Sequence, residues 1–233
     1  MIKVLRLTDM GKSDRGWLKS IFHFSFSEYY NPDKMEFGVL RVVNDDIVQP
    51  ENGFETHPHK DMEIISYVVS GELTHGDSMG NKKVVTRGQV QYMSAGKGIY
   101  HSEHNQGKEP LRFIQIWIKP DAKNHDPNYG DCRFAWDDRK NKWLHMVSGK
   151  KGEAQIQVNQ DANIYSLELD EGREITFPVE RGRQGYLVQL EGSSVINGFN
   201  LAEREAMEIV EEEISVKAEK TSHFLIIEMK KSD

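Results

Sequence analysis

The chain has little cysteine, little helical periodicity and no long apolar run. Its single cysteine, Cys132, cannot form an intramolecular disulfide and lies outside any CxxC pattern, so neither a disulfide framework nor thiol chemistry is expected. No apolar run approaches the roughly 20 residues that a membrane-spanning helix requires. Residues 1–7 alternate apolar and basic side chains and contain no secretory signal pattern. We therefore expect a cytoplasmic protein with no membrane association.

An excess of positive charge is also missing. The 30 Lys and Arg residues are outnumbered by 37 Asp and Glu, and the formal net charge is −7. Binding to a phosphate backbone needs clustered basic residues, so nucleic acid is not expected as a direct partner. With 233 residues, 37% hydrophobic and 29% charged, the composition predicts a globular chain that buries a substantial core. We expect a monomer.

What the sequence does contain is a series of short β-branched and aromatic stretches separated by Gly, Asn and Asp, which is typical of antiparallel β-structure. Glycines at turns such as Ser70-Gly71-Glu72 supply the positive φ that tight turns need. In the first half the predicted strands are Gly38–Val43, Met62–Val69, Leu73–Asp77, Lys83–Thr86, Gln89–Met93 and Phe113–Ile118. These strands would form successive hairpins.

The strand pattern lapses after Ile118, where a polar stretch rich in Pro, Asn and Asp is unsuited to a β-ladder. We therefore predict an N-terminal domain at 1–120, a linker at 121–133 and a C-terminal domain at 134–233. Predicted strands resume at Trp143–Val147, Ala154–Val158, Ile164–Leu169, Glu174–Phe177, Tyr186–Leu190 and Phe224–Met229. The Asn197-Gly198 pair favours a type I′ hairpin turn.

The two halves resemble each other around Gly71 and Gly192, each of which follows an apolar strand. This similarity suggests a duplicated barrel. Matching the two glycines places the counterparts of His57 and His59 at Pro178 and Glu180, so the second half lacks the paired histidines. We predict no metal ligands there and expect His223 to be a hydrogen-bonded structural residue.

Two segments of the first half carry metal-binding side chains at alternate positions. Alternate residues of a strand project to one side and lie roughly 6.5 Å apart, so His57 and His59 can face a single point. His101 and Glu103 repeat this spacing, whereas His104 and Tyr100 face the other way. Imidazole and carboxylate ligands suit Fe(II) and could equally hold Ni(II), Cu(II), Mn(II) or Zn(II).

A second carboxylate, Glu63, competes with Glu103 as the fourth ligand. In an unbroken strand it shares the face of His57 and His59, so spacing alone does not choose between the two glutamates.

The histidine segments resemble the two sequence motifs of the cupin superfamily. The first motif is HxH followed by Glu, as in His57, His59 and Glu63. The second appears as Gly88, Ser94-Ala95-Gly96, Gly98, His101 and Asn105, with Ser94 in place of the usual proline. The resemblance implies an all-β bicupin with two antiparallel, jelly-roll-like β-barrels. It also suggests that a terminal strand at Met1–Leu7 packs on the opposite half, as in some bicupins.

Longer strings resemble the pirin family, in particular the bacterial members described as quercetin 2,3-dioxygenases. They are Thr-His-Pro-His-Lys-Asp-Met-Glu-Ile from Thr56 and Met-Ser-Ala-Gly-Lys-Gly-Ile-Tyr-His-Ser-Glu from Met93. The resemblance implies that the metal ligands are His57, His59, His101 and Glu103, with Glu63 a buried polar residue nearby. It also implies an iron-dependent dioxygenase that cleaves flavonols such as quercetin with O2, in which Glu103 is the catalytic base.

The resemblance leaves a second function open, because pirins are also described as non-enzymatic, metal-dependent partners of transcription factors or metabolic enzymes. A cupin isomerase or hydrolase is a third class, and it would need basic residues such as Lys60 or Arg112 in the pocket. Aromatic residues between Phe22 and Tyr30 could line a flat-substrate pocket, but alternating aromatics more often pack in a core.

Overall fold

The computed structural model describes residues 1–232, and the described part is almost entirely β-structure. Two short 3-10 helices, Leu7–Asp9 and Trp136–Arg139, interrupt it. The prediction of an all-β fold is confirmed. No helix of the described residues is long and apolar enough to cross a membrane.

The first of two compact units comprises Met10–Phe134 and Val158–Gln160. Strand labels follow chain order. One sheet has the order β12 (Asn128–Cys132), β9 (Val90–Ser94), β6 (Glu63–Ser70), β11 (Leu111–Ile118), β4 (Leu40–Val48), β3 (Leu18–Phe22) and β2 (Gly11–Asp14). The other has the order β5 (Asn52–His59), β10 (Ile99–Asn105), β7 (Glu72–Asp77) and β8 (Lys82–Thr86).

Apolar residues from both sheets pack together inside the first unit. Val68 and Phe113 of the larger sheet form one apolar cluster with Leu73 and Val85 of the smaller sheet. Strands with alternating inward and outward side chains produce such a core between two antiparallel sheets. The core fixes the strands from which the histidines project.

The second unit comprises Met1–Asp9, Ala135–Gln157 and the chain from Asp161 onward. Its larger sheet has the order β1 (Ile2–Leu5), β20 (Ala206–Val210), β17 (Arg183–Glu191), β22 (Ser222–Lys230), β15 (Ala162–Leu169), β13 (Leu144–Gly149) and β14 (Ile156–Val158). The smaller has the order β16 (Glu174–Phe177), β21 (Ile214–Ala218), β18 (Ser193–Ile196) and β19 (Phe199–Ala202).

These units differ from the predicted ranges 1–120, 121–133 and 134–233 at both ends of the first domain. Residues 1–9 belong to the second unit, because β1 pairs antiparallel with β20. Part of the predicted linker forms β12, which pairs with β9. Strands β1 and β12 each satisfy hydrogen-bonding groups at the edge of the sheet that they join.

The predicted hairpin at Asn197-Gly198 is present between β18 and β19. Both residues have positive φ, 46° and 84°, as a type I′ turn requires.

The two units repeat one strand order. The series β9-β6-β11-β4-β3 corresponds to β20-β17-β22-β15-β13, and β5-β10-β7-β8 corresponds to β16-β21-β18-β19. In this correspondence β10, which carries His101, matches β21. His223 lies on β22, outside the pair of strands that corresponds to β5 and β10.

Candidate metal centre

Three histidines of the first unit converge on one point. His57 lies opposite His101 in the antiparallel β5–β10 pair, and His59 lies opposite Ile99. The ring centroids of His57 and His101 are 4.5 Å apart, and that of His59 is 4.8 Å from each of them. One ring nitrogen from each residue lies within 4.8 Å of the others, so the three could hold a single ion.

One hydrogen bond directs a lone pair of His57 towards the other two histidines. The Nδ1 atom of His57 lies 2.7 Å from the carbonyl oxygen of Glu55, so this nitrogen carries the proton and donates it. Its Nε2 atom therefore presents a lone pair, 3.1 Å from Nε2 of His101. The Nδ1 atom of His101 is buried and has no hydrogen-bond partner within residues 1–232.

His59 and His101 are also held neutral. Burial is the main reason that the pKa of His59 is lowered to about 3. The neighbouring imidazoles of His101 and His57 also lower it, and the Glu103 carboxylate raises it by a smaller amount. Burial, followed by His57 and His75, lowers the pKa of His101 to about 3. Metal coordination requires the neutral imidazole, so the site favours the form that binds.

Glu103 is buried beside His101, and its two oxygens are fixed separately. Ser66 donates to Oε1 at 2.7 Å, and Gln115 donates to Oε2 at 2.6 Å. Because Ser66 and Gln115 lie on β6 and β11 of the larger sheet, the carboxylate is held between the two sheets of the unit. Each oxygen keeps a lone pair for a further partner.

Sequence reasoning missed His75, which forms a second group of potential ligands with His101 and Glu103. Its Nδ1 atom lies 3.0 Å from Gln91 Nε2, and its Nε2 atom lies 3.2 Å from Asp77 Oδ2. With both ring nitrogens engaged, His75 offers a metal no lone pair unless one of these bonds breaks. The alternation of His75 and Asp77 on β7 repeats the spacing of the other two histidine segments and could have drawn attention to it.

Glu63 belongs to neither group of potential ligands. It is fully buried and accepts hydrogen bonds from Tyr92, Ser94 and both the backbone and side-chain nitrogens of Asn159. The expectation that it could share the face of His57 and His59 assumed one unbroken strand. Instead β5 ends at His59, Asp61 adopts a positive φ of 49°, and β6 of the other sheet begins at Glu63.

Aromatic side chains adjoin the histidines. Trp117 meets His59 edge to face with the centroids 4.8 Å apart, and Phe26 meets Trp117 in the same way at 5.4 Å. Phe22 and Phe24 are buried in the core, as expected for alternating aromatics, whereas Tyr30 is exposed. The partly exposed Phe26 and Trp117 therefore give the site an apolar flank.

The remaining candidate residues lie away from this cluster. Arg112 forms two hydrogen bonds with Asp45, which leaves it unsuited to the anion binding that a cupin isomerase or hydrolase would need. Tyr100 is 56% exposed, in line with its predicted outward direction. In the second unit His223 lies 3.0 Å from Glu191 Oε2 and is buried.

The first unit's donors suit a metal ion. Three imidazoles and a nearby carboxylate form a nitrogen and oxygen donor set typical of a divalent transition metal, and one of the imidazoles, His101, has a buried ring nitrogen with no hydrogen-bond partner among the described residues. Within the described residues no comparable group occurs in the second unit. There the register puts Phe177 of β16 where β5 has His59, and Val216 of β21 where β10 has His101. Both belong to an apolar core.

These features define a two-domain cupin protein. The family model described as Pirin matches residues 5–118, and the model described as the quercetinase C-terminal cupin domain matches residues 145–229. A putative quercetin 2,3-dioxygenase of Zymomonas mobilis is 40% identical over 94% of each chain. The quercetin 2,3-dioxygenase of Escherichia coli K12 is 38% identical over 98% of this chain and 99% of its own. The chain belongs to the pirin family.

Solved structures agree with this assignment. The crystal structure of the bacterial pirin YhhW from Escherichia coli in complex with nickel(II) matches with a TM-score of 0.93 and 36% identity, covering 100% of both chains. The resemblance to the pirins and the predicted two-cupin fold are therefore confirmed.

The lowered histidine pKa values predict how the metal-free protein responds to acid. In the unfolded chain these histidines take up protons near pH 6.5, whereas His59 and His101 in the folded chain do so only near pH 3. The unfolded state therefore binds more protons in this window, and stability falls as pH falls from about 6.5 towards 3. Thermal unfolding of metal-free protein between pH 7 and 5 measures the slope of stability against pH.

The variant His59→Gln removes one of the titrating groups and should flatten that slope. His104→Gln, which alters a histidine of the same strand pair outside the cluster, should leave it unchanged. An equal slope in wild type and His59→Gln would show that the lowered pKa of His59 does not contribute to the acid response.

Proposed function

We propose that His57, His59, His101 and Glu103 hold one divalent transition-metal ion, and that this ion is iron(II). The observation that carries the proposal is the approach of three imidazole nitrogens to within 4.8 Å of one another. Ni(II), Cu(II), Mn(II) and Zn(II) fit the same donors, and the nickel(II) complex of YhhW shows that a pirin can bind such an ion. Elemental analysis of protein purified without an affinity tag tests the identity of the metal.

We further propose that the site cleaves a flavonol such as quercetin with O2. Support comes from relatives named as quercetin 2,3-dioxygenases, one of them 38% identical over nearly the whole chain. The aromatic flank of Phe26 and Trp117 suits a flat aromatic substrate. A metal ion at the histidines would act as a Lewis acid that binds substrate oxygens and acidifies a hydroxyl group.

Glu103 is the general base of the proposed reaction. Its carboxylate takes the flavonol hydroxyl proton on an oxygen that already accepts one bond from Ser66 or Gln115. These two donors hold the carboxylate in one orientation, so little reorganisation is needed when the proton arrives. Trp117, beside His59, orients the ring of the substrate and excludes water from one side.

The assay for the reaction measures oxygen uptake and carbon monoxide release by metal-loaded protein with quercetin. Turnover with both signals supports the proposal. Metal-loaded protein that consumes no oxygen with quercetin would rule out quercetin as the substrate.

Replacing the base should separate chemistry from metal binding. Glu103→Gln removes the proton acceptor, so kcat should fall by about 100-fold or more, the range for a positioned general base. Metal content, measured by elemental analysis, shows whether loss of a ligand contributes. The matched control Glu109→Gln alters an exposed glutamate of the same unit and should keep full activity. Full activity in Glu103→Gln would exclude the catalytic role.

The alternative is a metal-dependent regulatory protein that binds a transcription factor or a metabolic enzyme. The net charge of −7 suits a basic partner surface. Pull-down with wild type and His57→Ala discriminates between the functions: a partner retained only by metal-loaded wild type, without quercetin turnover, favours the regulatory one.

A further inference from the structure

The second unit contains a cleft of about 650 Å³ that the proposed reaction does not use. Trp143, Tyr165 and Phe177 form its aromatic wall, and Glu180, Arg183 and Glu228 lie around them. A volume of this size falls within the range of small-molecule sites. Phe177 and Tyr165 also pack against the apolar core of the unit, so the wall is firmly supported.

Strand register places this cleft at the positions that Trp117 and the histidine strand β5 occupy in the first unit. The β6–β11 and β17–β22 pairs each contain one register irregularity at matching places. Counted from this irregularity, Trp117 of β11 occupies the same position as Glu228 of β22. Trp117 pairs with Val42 of β4, and Glu228 pairs with Asn163 of β15. The second unit thus has apolar residues at the positions of the histidines, and a cleft lies beside these apolar residues.

The charges of the cleft favour a cation. Arg183 is its only basic lining residue, and the guanidinium is already occupied by a two-point contact with Glu228 and by Asp161 at 2.8 Å. Asn163 also donates to Glu228, at 2.7 Å. The lining carboxylates of Asp161, Glu180 and Glu228 against one guanidinium leave a formal charge of −2. An anionic ligand would have to displace Asp161 or Glu228 from Arg183.

Glu180 supplies the carboxylate that is not engaged in this network. Its side chain is exposed and lines the cleft, and among the described residues no side-chain hydrogen bond or ion pair involves it. It is therefore available to a ligand without the loss of an existing contact.

The aromatic wall supplies the second half of the recognition. The centroid of Phe177 lies 5.0 Å from that of Trp143 and 5.1 Å from that of Tyr165, both edge to face. Rings set at steep angles form a corner whose faces attract a positively charged methylammonium or alkylammonium group. We propose that the second-unit cleft binds a small organic cation of this class, one that joins an amine or quaternary ammonium group to an apolar body.

Isothermal titration of the full-length protein with benzyltrimethylammonium tests the proposal. This probe should bind at least about 10-fold more tightly than neutral benzyl alcohol or anionic benzoate, since cation–π attraction in a partly desolvated site gives factors of this size. Trp143→Leu should weaken binding of the cation by about 10-fold or more. Equal affinity for the three probes, or no saturable binding of the cation, would overturn the proposal.

A second variant keeps the test independent of folding. Glu180→Gln removes an exposed charge, and it should weaken cation binding by about 2- to 5-fold, an effect that salt reduces. The matched control Glu171→Gln removes an exposed glutamate of the same unit that does not line the cleft, and it should bind like wild type. Identical affinities for Glu180→Gln and Glu171→Gln would also overturn the proposal. Metal loading should leave all these affinities unchanged.

Discussion

Replacing His57 with alanine is expected to lower metal affinity by at least about 100-fold, the upper end of the loss caused by changing residues that merely support a metal ligand. The His57 Nε2 atom presents its lone pair to the cluster because Nδ1 donates to Glu55, and alanine removes that donor entirely. His59→Ala should have an effect of similar size. Elemental analysis after loading with iron(II) and dialysis measures the occupancy, and quercetin turnover should be lost in parallel.

His104→Ala is the matched control for this experiment. His104 lies on β10 between Glu103 and Asn105, yet it belongs to neither group of potential ligands and lies 4.0 Å from the exposed Glu55. The control variant should retain metal at the wild-type level. Wild-type occupancy in His57→Ala and His59→Ala would refute the proposed ligand set.

Local patterns in the sequence were sufficient to predict most strands of both units. Apolar and polar residues alternate along them, and glycine or asparagine marks their turns, so each hairpin is encoded within a few residues. The predicted strand at Glu174–Phe177 has the same bounds in the structure. The resemblance to bicupins, rather than any local pattern, suggested where the N-terminal strand packs, because Ile2 pairs with the remote Ile209. Strand β12 was not predicted because it lies in the polar stretch that was read as a linker.

The same distinction applies to the candidate site. The alternation in His57-Pro58-His59 is local and predicted that both imidazoles face one point, and the register brings His101 to them. The role of His75 depends on contacts with Gln91 and Asp77, and no spacing in the sequence encodes the contact with β9.

The counterparts of the paired histidines show the limit of matching by a fixed offset. Alignment on Gly71 and Gly192 selected Pro178 and Glu180, whereas strand pairing selects Ile175 and Phe177. The three-residue difference has two sources. Residues 178–182 join β16 to β17 where only 60–62 join β5 to β6, and β17 is one residue longer than β6. The conclusion that the second half lacks paired histidines holds for either pair of positions.

Glu63→Ala is expected to destabilise the first unit by about 3–5 kcal/mol, because it leaves several buried donors without an acceptor. Tyr92 donates at 2.6 Å, Ser94 at 2.7 Å and the backbone of Asn159 at 3.0 Å, all in a fully buried setting. Burial and the adjoining Glu63 carboxylate raise the pKa of Tyr92, so its hydroxyl keeps the proton that it donates. Calorimetry should show a fall in Tm of about 10 °C.

The same variant separates the two glutamates that spacing could not rank. Because Glu63 is held by donors and lies outside both groups of potential ligands, the folded fraction of Glu63→Ala should still bind metal at 10 °C, whereas the histidine variants should not. Glu109→Ala, which truncates an exposed glutamate of the same unit, should change Tm by no more than about 1–2 °C. Loss of metal from Glu63→Ala with an unchanged Tm would reverse the assignment and make Glu63, rather than Glu103, the carboxylate ligand.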